Sequence, residues 1–296
     1  MSISGLNQET LAQRLGVTFV TLNRWINNKS KPYNSNLIKI DKLYCEFTGQ
    51  KIIPESVLQS KKLFILSKAK NLKIKVLDTI LQRNDIYEDL VLNITYHTNN
   101  IEGSTLTKGE TQDILFDHTM KVNKSIKEVL EAKNHQIAFD YLLEYLSTKQ
   151  KINETFVLEL HSILINGILP NAGQYRNHAV RIVGSNVPTA NYLSIQKLMD
   201  QLYKNINRKT DDIVSLISKT HAEFERIHPF SDGNGRIGRL LMIGQLLSHN
   251  LPPAIIKKES KHNYYSYLAK AQNKEDYSSL EGFICDAIII GFEMLV

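Results

Sequence analysis

The 296-residue chain has only two cysteines, Cys45 and Cys285, far apart in sequence. That excludes a disulfide framework and leaves no Cys/His cluster at zinc-ligand spacing. No run of 18 apolar residues occurs; the C-terminal stretch Phe283 to Glu293 is interrupted by Asp286 and reads as a buried helix rather than a membrane span. The first residues, Met-Ser-Ile-Ser-Gly-Leu-Asn, show no charged segment leading into a hydrophobic run, so no secretory signal is visible. Low-complexity segments and obvious repeats are also missing. The expectation is a cytoplasmic protein that does not engage a membrane. Its 42% apolar content suffices for a large core and one to two domains.

Charge is unevenly distributed. Residues 1–75 hold 13 Lys and Arg against 4 Asp and Glu, a net of +9, whereas the whole chain is +6, so the remainder is −3. A basic N-terminal third can meet a polyanion or present a solvated lysine face. Its pattern is more specific than its charge. Asn7 to Val17 reads as a short helix ended by Gly16, and Thr18 to Ile26 as a second helix. Leu11, Leu15, Val17, Leu22 and Trp25 are spaced to pack the two across a tight turn. The pair resembles the helix-turn-helix of phage-repressor-type regulators. That resemblance sends the second helix into the major groove and makes Thr18, Phe19, Thr21, Asn23, Arg24, Asn27 and Lys29 the residues that would face DNA. Residues 51–75 read as a lysine-rich amphipathic connector, with Ile52, Ile53, Val57, Leu58, Leu63, Ile65 and Leu66 among its apolar positions.

The densest chemistry lies in His228-Pro-Phe-Ser-Asp232-Gly233-Asn234-Gly235-Arg236-Ile-Gly238-Arg239. Helix-friendly residues flank it on both sides, and Pro229, Gly233 and Gly235 break the helical pattern between them. The stretch is therefore a helix–loop–helix corner whose second helix starts near Asn234 or Gly235. The free N–H groups and positive dipole end of that helix suit an anion. Arg236 and Arg239, three apart, share one face of its first turn, and guanidinium forks match phosphate oxygens. An imidazole can take a proton from a nucleophile, and a carboxylate can hold Mg²⁺. Together these are the parts of a polyphosphate site. His221-x3-Glu225-x2-His228 is not a zinc-protease spacing, so His221 reads as structural or as a support behind the site residues.

This stretch resembles the signature of Fic-domain proteins, matching every fixed position, and the resemblance runs over about residues 85–285. It implies ATP and Mg²⁺ as cofactors, with Asp232 on the metal. Gly233, Asn234 and Gly235 would cradle the α-phosphate, Arg236 and Arg239 the outer phosphates, and His228 would be the base. Thr98-x-x-x-Glu102-Gly103 resembles the family's inhibitory motif; by that resemblance Glu102 pairs with Arg239 and keeps it from the γ-phosphate, and Gly103 ends a short helix. Gly173 to Pro188, with β-branched Val180, Ile182 and Val183 and the breakers Gly184 and Pro188, resembles the family's flap, a small β-hairpin that brings Val183, Gly184, Ser185 and Asn186 to the nucleotide and pins a target peptide. Tyr264 and Tyr265 would sit beside adenine and ribose, and Gln272 stands where relatives often carry asparagine.

The expected fold is mainly α: a helix-turn-helix-like segment over 1–50, a helical connector over 51–84, and a Fic-type domain over 85–296. The expected activity is transfer of AMP from ATP to a Ser, Thr or Tyr hydroxyl of a target protein or of the chain itself, held off by Glu102. Removal of AMP, transfer of another phosphate-containing group, a DNA-binding regulator that uses the Fic fold as a sensor, and an N-terminal protein-docking module are the alternatives. A homodimer stays open.

Overall fold

The computed structural model describes residues 6–48, 55–117, 124–182 and 187–295. The architecture is helical throughout. α1 (Gln8–Leu15) and α2 (Phe19–Ile26) are joined by Gly16, which takes the left-handed conformation, φ 67°, that closes α1. Asn7 and Thr18 cap the two helices by accepting from Thr10 N and Thr21 N. Ala12, Leu15 and Leu22 are buried at their interface, with Leu11, Val17 and Trp25 around them. α3 (Asn34–Thr48), not read from the sequence, completes this small core with Ile40 and Leu43.

α4 (Glu55–Asn71) corrects the amphipathic reading of the connector. Leu58 and Ile65 are buried, but Val57, Leu63, Phe64 and Leu66 are exposed, so apolar residues occupy both sides of the helix. Ile52 and Ile53 lie outside the described residues. α4 rests on α14 (Ser278–Glu293), the buried C-terminal helix expected from Phe283 to Glu293. Lys62 ties the contact by pairing with Glu281 at 2.5 Å and with Asp212 at 2.7 Å.

Behind α5 (Val76–Gln82) comes α6 (Asn84–Ile101), then α7 (Lys108–Gln112), which opens with a reciprocal Thr107/Glu110 cap. α6 has 18 residues, so the helix that Gly103 follows is a long one rather than the short one expected. α8 (Ile126–Ser147), α9 (Glu154–Leu164) and α10 (Ile195–Ile206) surround an antiparallel pair, α11 (Ile213–Ile227) and α12 (Asn234–Ser248). α13 (Lys261–Lys274) and α14 close the far side of α11. Two large clusters fill the interior, one among α6 and α8–α12, the other among α4 and α11–α14. No helix among the described residues is long and apolar enough to cross a membrane.

The β-hairpin expected as a flap is not formed among the described residues, which contain no strand. Its arms spend their backbone groups on the end of α11 instead of on each other. Arg176 N donates to Pro229 O and Ala190 N to Arg226 O, while the Arg176 guanidinium bridges the carbonyls of His178 and Ala190. Val183, Gly184, Ser185 and Asn186 lie outside the described residues.

Candidate active site

The corner between α11 and α12 folds as the residue pattern requires. α11 stops at His228, whose left-handed backbone (φ 51°) turns the chain, and α12 begins after Gly233, also left-handed at φ 78°. Asn234 staples the loop: its Oδ1 accepts from Phe230 N (2.8 Å) and its Nδ2 donates to Phe230 O (2.9 Å). Its side chain is therefore buried structure, and only its backbone N–H is left for a cradle. Phe230 stacks on His161 with ring centres 3.7 Å apart and planes within 6°. His161 Nδ1 accepts from Gly173 N, so Nε2 carries the proton and donates to Asp232 O at 3.1 Å. Burial above all keeps this imidazole neutral, with a pKa of about 4. The first N–H groups of α12 have no intrahelical partner and open toward the loop.

His228 presents one ring nitrogen without a hydrogen-bond partner among the described residues. Nδ1 lies 3.3 Å from Glu225 O, which can only accept, so the proton sits on Nδ1 and the Nε2 lone pair is free. Burial holds its pKa below 6.5; the bond to Glu225 O opposes this and the nearby Arg176 charge adds to it. Arg176 donates to His228 O at 2.7 Å and reaches Ile227 O, fixing the backbone on which the imidazole is mounted.

The two arginines differ in their surroundings. Arg239 is buried; its Nε donates to Thr98 Oγ1 at 2.6 Å and its NH2 donates to Glu102 Oε1 at 2.5 Å. Burial works against its charge, but Glu102, Tyr264 and Tyr265 outweigh that and raise its pKa. Glu102 caps α6, and its side chain retains 31% exposure. It approaches α12 so closely that a Cβ on Gly235 would stand 2.3 Å from Glu102 Oε1, so a side chain there would push the Glu102 carboxylate aside. The expected Glu102–Arg239 pair is thus formed. Arg236 is more deeply buried, with NH1 3.1 Å from Glu131 Oε1 and NH2 3.7 Å from Asp232 Oδ1. Arg236 Nε and NH1, Arg239 NH1 and His135 Nε2 are buried nitrogens without hydrogen-bond partners. A polyanion would fit the three arginine donors of this set, since buried N–H groups are rarely left unpaired.

Asp232 keeps 45% of its side chain exposed at the loop while Oδ1 accepts from Gly233 N. A single accessible carboxylate beside a phosphate cradle suits Mg²⁺, which usually takes one or two protein carboxylates plus phosphate and water. Tyr264 is not open to a ligand: it is fully buried and its hydroxyl lies 2.7 Å from His221 Nε2. His221 Nδ1 faces Gly238 O, so His221 is structural, as expected, and neutral with a pKa of about 3, chiefly through burial. Tyr265, 39% exposed, is the ring of the pair that a nucleotide could reach. Gln272 donates to Ala222 O and borders a polar cavity of about 670 Å³ with Arg226, Glu223 and Lys219, away from the loop residues.

Among the N-terminal candidates, Thr18, Phe19, Arg24, Asn27 and Lys29 are exposed. Thr21 is partly buried, its hydroxyl 2.9 Å from that of Thr18. Asn23 is turned inward and donates to Gln8 Oε1. Val20, 66% exposed, joins Arg24 and Asn27 on one face, a position that sequence reading missed.

Residues 151–246 match the model of the Fic/DOC family, and residues 4–44 match a model described as helix-turn-helix. A protein adenylyltransferase Fic of Aedes aegypti is 32% identical over 234 residues, covering 77% of this chain and 46% of that protein. Its namesake in Drosophila ananassae is 33% identical over 195 residues, 64% of this chain and 39% of that protein. The chain thus spans less than half the length of these curated relatives. In fold it is similar to Fic-1 from C. elegans (TM-score 0.71, 22% identity, 97% of this chain and 84% of that one). It is also similar to a Fic domain containing signaling protein from Bacteroides thetaiotaomicron (TM-score 0.67, 23% identity, 79% of this chain and 96% of that one). Residues 151–246 belong to the Fic/DOC family, and a helix-turn-helix precedes them in the same chain.

Proposed function

We propose that the chain is a protein adenylyltransferase restrained by its own Glu102. The observation that carries this reading is the buried Arg239 held between Thr98 and Glu102, in the second turn of a helix whose N-terminus follows the loop that carries His228 and Asp232. The α-phosphate of ATP would lie against the backbone N–H groups of Gly233 to Gly235, with the outer phosphates on Arg236 and, once Glu102 withdraws, on Arg239. Asp232 would hold Mg²⁺, which when bound neutralises charge on the phosphate oxygens. His228 Nε2 takes the proton of a Ser, Thr or Tyr hydroxyl as that oxygen attacks the α-phosphorus. The bond to the bridging oxygen breaks and pyrophosphate leaves. Positioning and charge stabilisation supply most of the rate. Tyr265 is the ring proposed to meet the nucleoside, and Val183 to Asn186 the segment to cover it.

Labelled-ATP incorporation by the wild type, Glu102→Gly and His228→Ala tests this reading. Transfer should rise in the first variant and fall by roughly 10²–10⁴ in the second. A fully active His228→Ala would overturn the assignment. A second reading concerns the N-terminal unit: exposed Thr18, Arg24, Asn27 and Lys29 on and beside α2 support DNA binding through that helix. Its affinity should fall steeply with salt; a flat salt response in a gel-shift titration would count against it.

A further inference from the structure

Arg239 has a well-exposed carboxylate partner at a helix end. Arg236 has a different one. Glu131 lies on the second turn of α8, its side chain only 13% exposed, and its Oε1 stands 3.1 Å from Arg236 NH1. One turn further along the same face of α8 is His135, fully buried, with Nδ1 2.8 Å from Thr95 Oγ1 on α6. His135 feels the charges of Arg236 and Arg239, and burial first, then those charges, keeps it neutral with a pKa of about 3. Arg236 is thus set into a wall made by α8, and its remaining carboxylate neighbour is Asp232 at 3.7 Å.

We propose that Glu131 is a positioning residue: a fixed counter-ion that holds Arg236 off Asp232 so that its free N–H groups face the outer phosphates. Three observations support this. The guanidinium is 1% exposed, so it needs a permanent opposite charge. Glu131 sits inside α8 at 13% exposure against 31% for Glu102, so it has less water to turn to. Arg236 Nε and NH1 have no hydrogen-bond partner in the protein even with Glu131 in place, which leaves donors for a ligand. With the charge of Glu131 removed, Arg236 would close onto Asp232, and both groups would be lost to the phosphate site together.

The inference rests on the adenylyltransferase reading only for the identity of the nucleotide, so its test begins without one. Tripolyphosphate binding is measured by calorimetry on Glu102→Gly, Glu102→Gly/Glu131→Gln and Glu102→Gly/Glu131→Asp. Glutamine should weaken binding by roughly tenfold or more, and aspartate, which keeps the charge, by about threefold. In AMP incorporation the KM for ATP should rise by the same factors while kcat changes less than about threefold, a split that a merely structural role would not produce. If the glutamine variant does not fold, the aspartate variant carries the test. Unchanged affinity overturns the proposal. Tighter binding also overturns it, because Glu131 would then be a second brake. A Glu102→Gly protein that binds tripolyphosphate but transfers no AMP overturns the adenylyltransferase reading and leaves Glu131 in place; one that binds no tripolyphosphate overturns both.

Discussion

Arg236 and Arg239 lie three residues apart on one helix, yet their carboxylate partners are built differently. Glu102 is the residue at which α6 ends, 31% exposed; Glu131 lies inside the 22-residue α8, 13% exposed. A partly exposed carboxylate at a helix end can trade protein for water at modest cost, whereas one packed against neighbouring helices has less water to turn to. On the proposals above, the same chemistry serves opposite purposes: the Glu102 pair opens and the Glu131 pair stays shut.

The largest expected effect separates the pairs by stability. Arg236→Ala leaves Glu131, 13% exposed, with only the surface Lys127 at 3.8 Å as a cation and should cost about 3 kcal/mol in urea unfolding. Arg239→Ala leaves Glu102 able to turn toward water and should cost less than half as much. Equal losses would break the comparison. The next effect is on activity: Glu102→Gly should raise AMP incorporation by about 10–100-fold, the equivalent of ~1.4–2.8 kcal/mol, while Glu131→Gln should not raise it at all.

Acid tests the neutral surroundings that both pairs share. Burial lowers His135 and His221 to about 3, and His97 and His161 to about 4, from 6.5. Unfolding releases four bases that take up protons once the pH falls below 6.5. Stability present above that pH is therefore lost progressively toward pH 4. Glu225, pushed up to about 7 mainly by burial, acts in the opposite sense between pH 7 and its ordinary 4.5, as do Glu223 and Asp140, which burial also raises, but these three carboxyls face the four imidazoles and His228 as well. The melting temperature should accordingly fall between pH 7 and pH 5. Activity should have its acid midpoint below 6.5, because His228 is itself depressed; a midpoint above 6.5 would contradict the burial argument. The smallest effect is expected from Lys127→Ala. Lys127 is 60% exposed and 3.8 Å from Glu131, so its removal should change stability by no more than about 0.5 kcal/mol if the interior pair needs no surface support.

Local signals carried far in this chain. Pro229 and the glycines marked the loop to within a residue of where α12 starts, and Gly16 marked the turn between α1 and α2, because breakers and caps act on the backbone beside them. The Glu102–Arg239 pair was legible only because both ends sit in recognisable motifs. Glu131 offered no such cue: it is an ordinary glutamate in a helix, 105 positions before its partner, and only tertiary packing brings the two together. Arg176 was hidden for the same reason. Its value lies in four carbonyls that converge only after folding. Tyr264 was misplaced because its spacing cannot tell a ring under Arg239 from a ring beside a ligand.

Immediately past Glu102, the chain is tied down. Thr105 N donates to Glu128 Oε1 at 2.6 Å, Thr105 Oγ1 donates to the same oxygen, and Ser104 Oγ also reaches it. Glu102 therefore cannot drift away when it leaves Arg239. It competes as a tethered ligand, with an effective concentration in the millimolar range or above for so short a link. On the adenylyltransferase reading, a phosphate must displace a rival that dilution never removes, and the nucleotide level at which the site turns on depends on this short tether as well as on the strength of the ion pair.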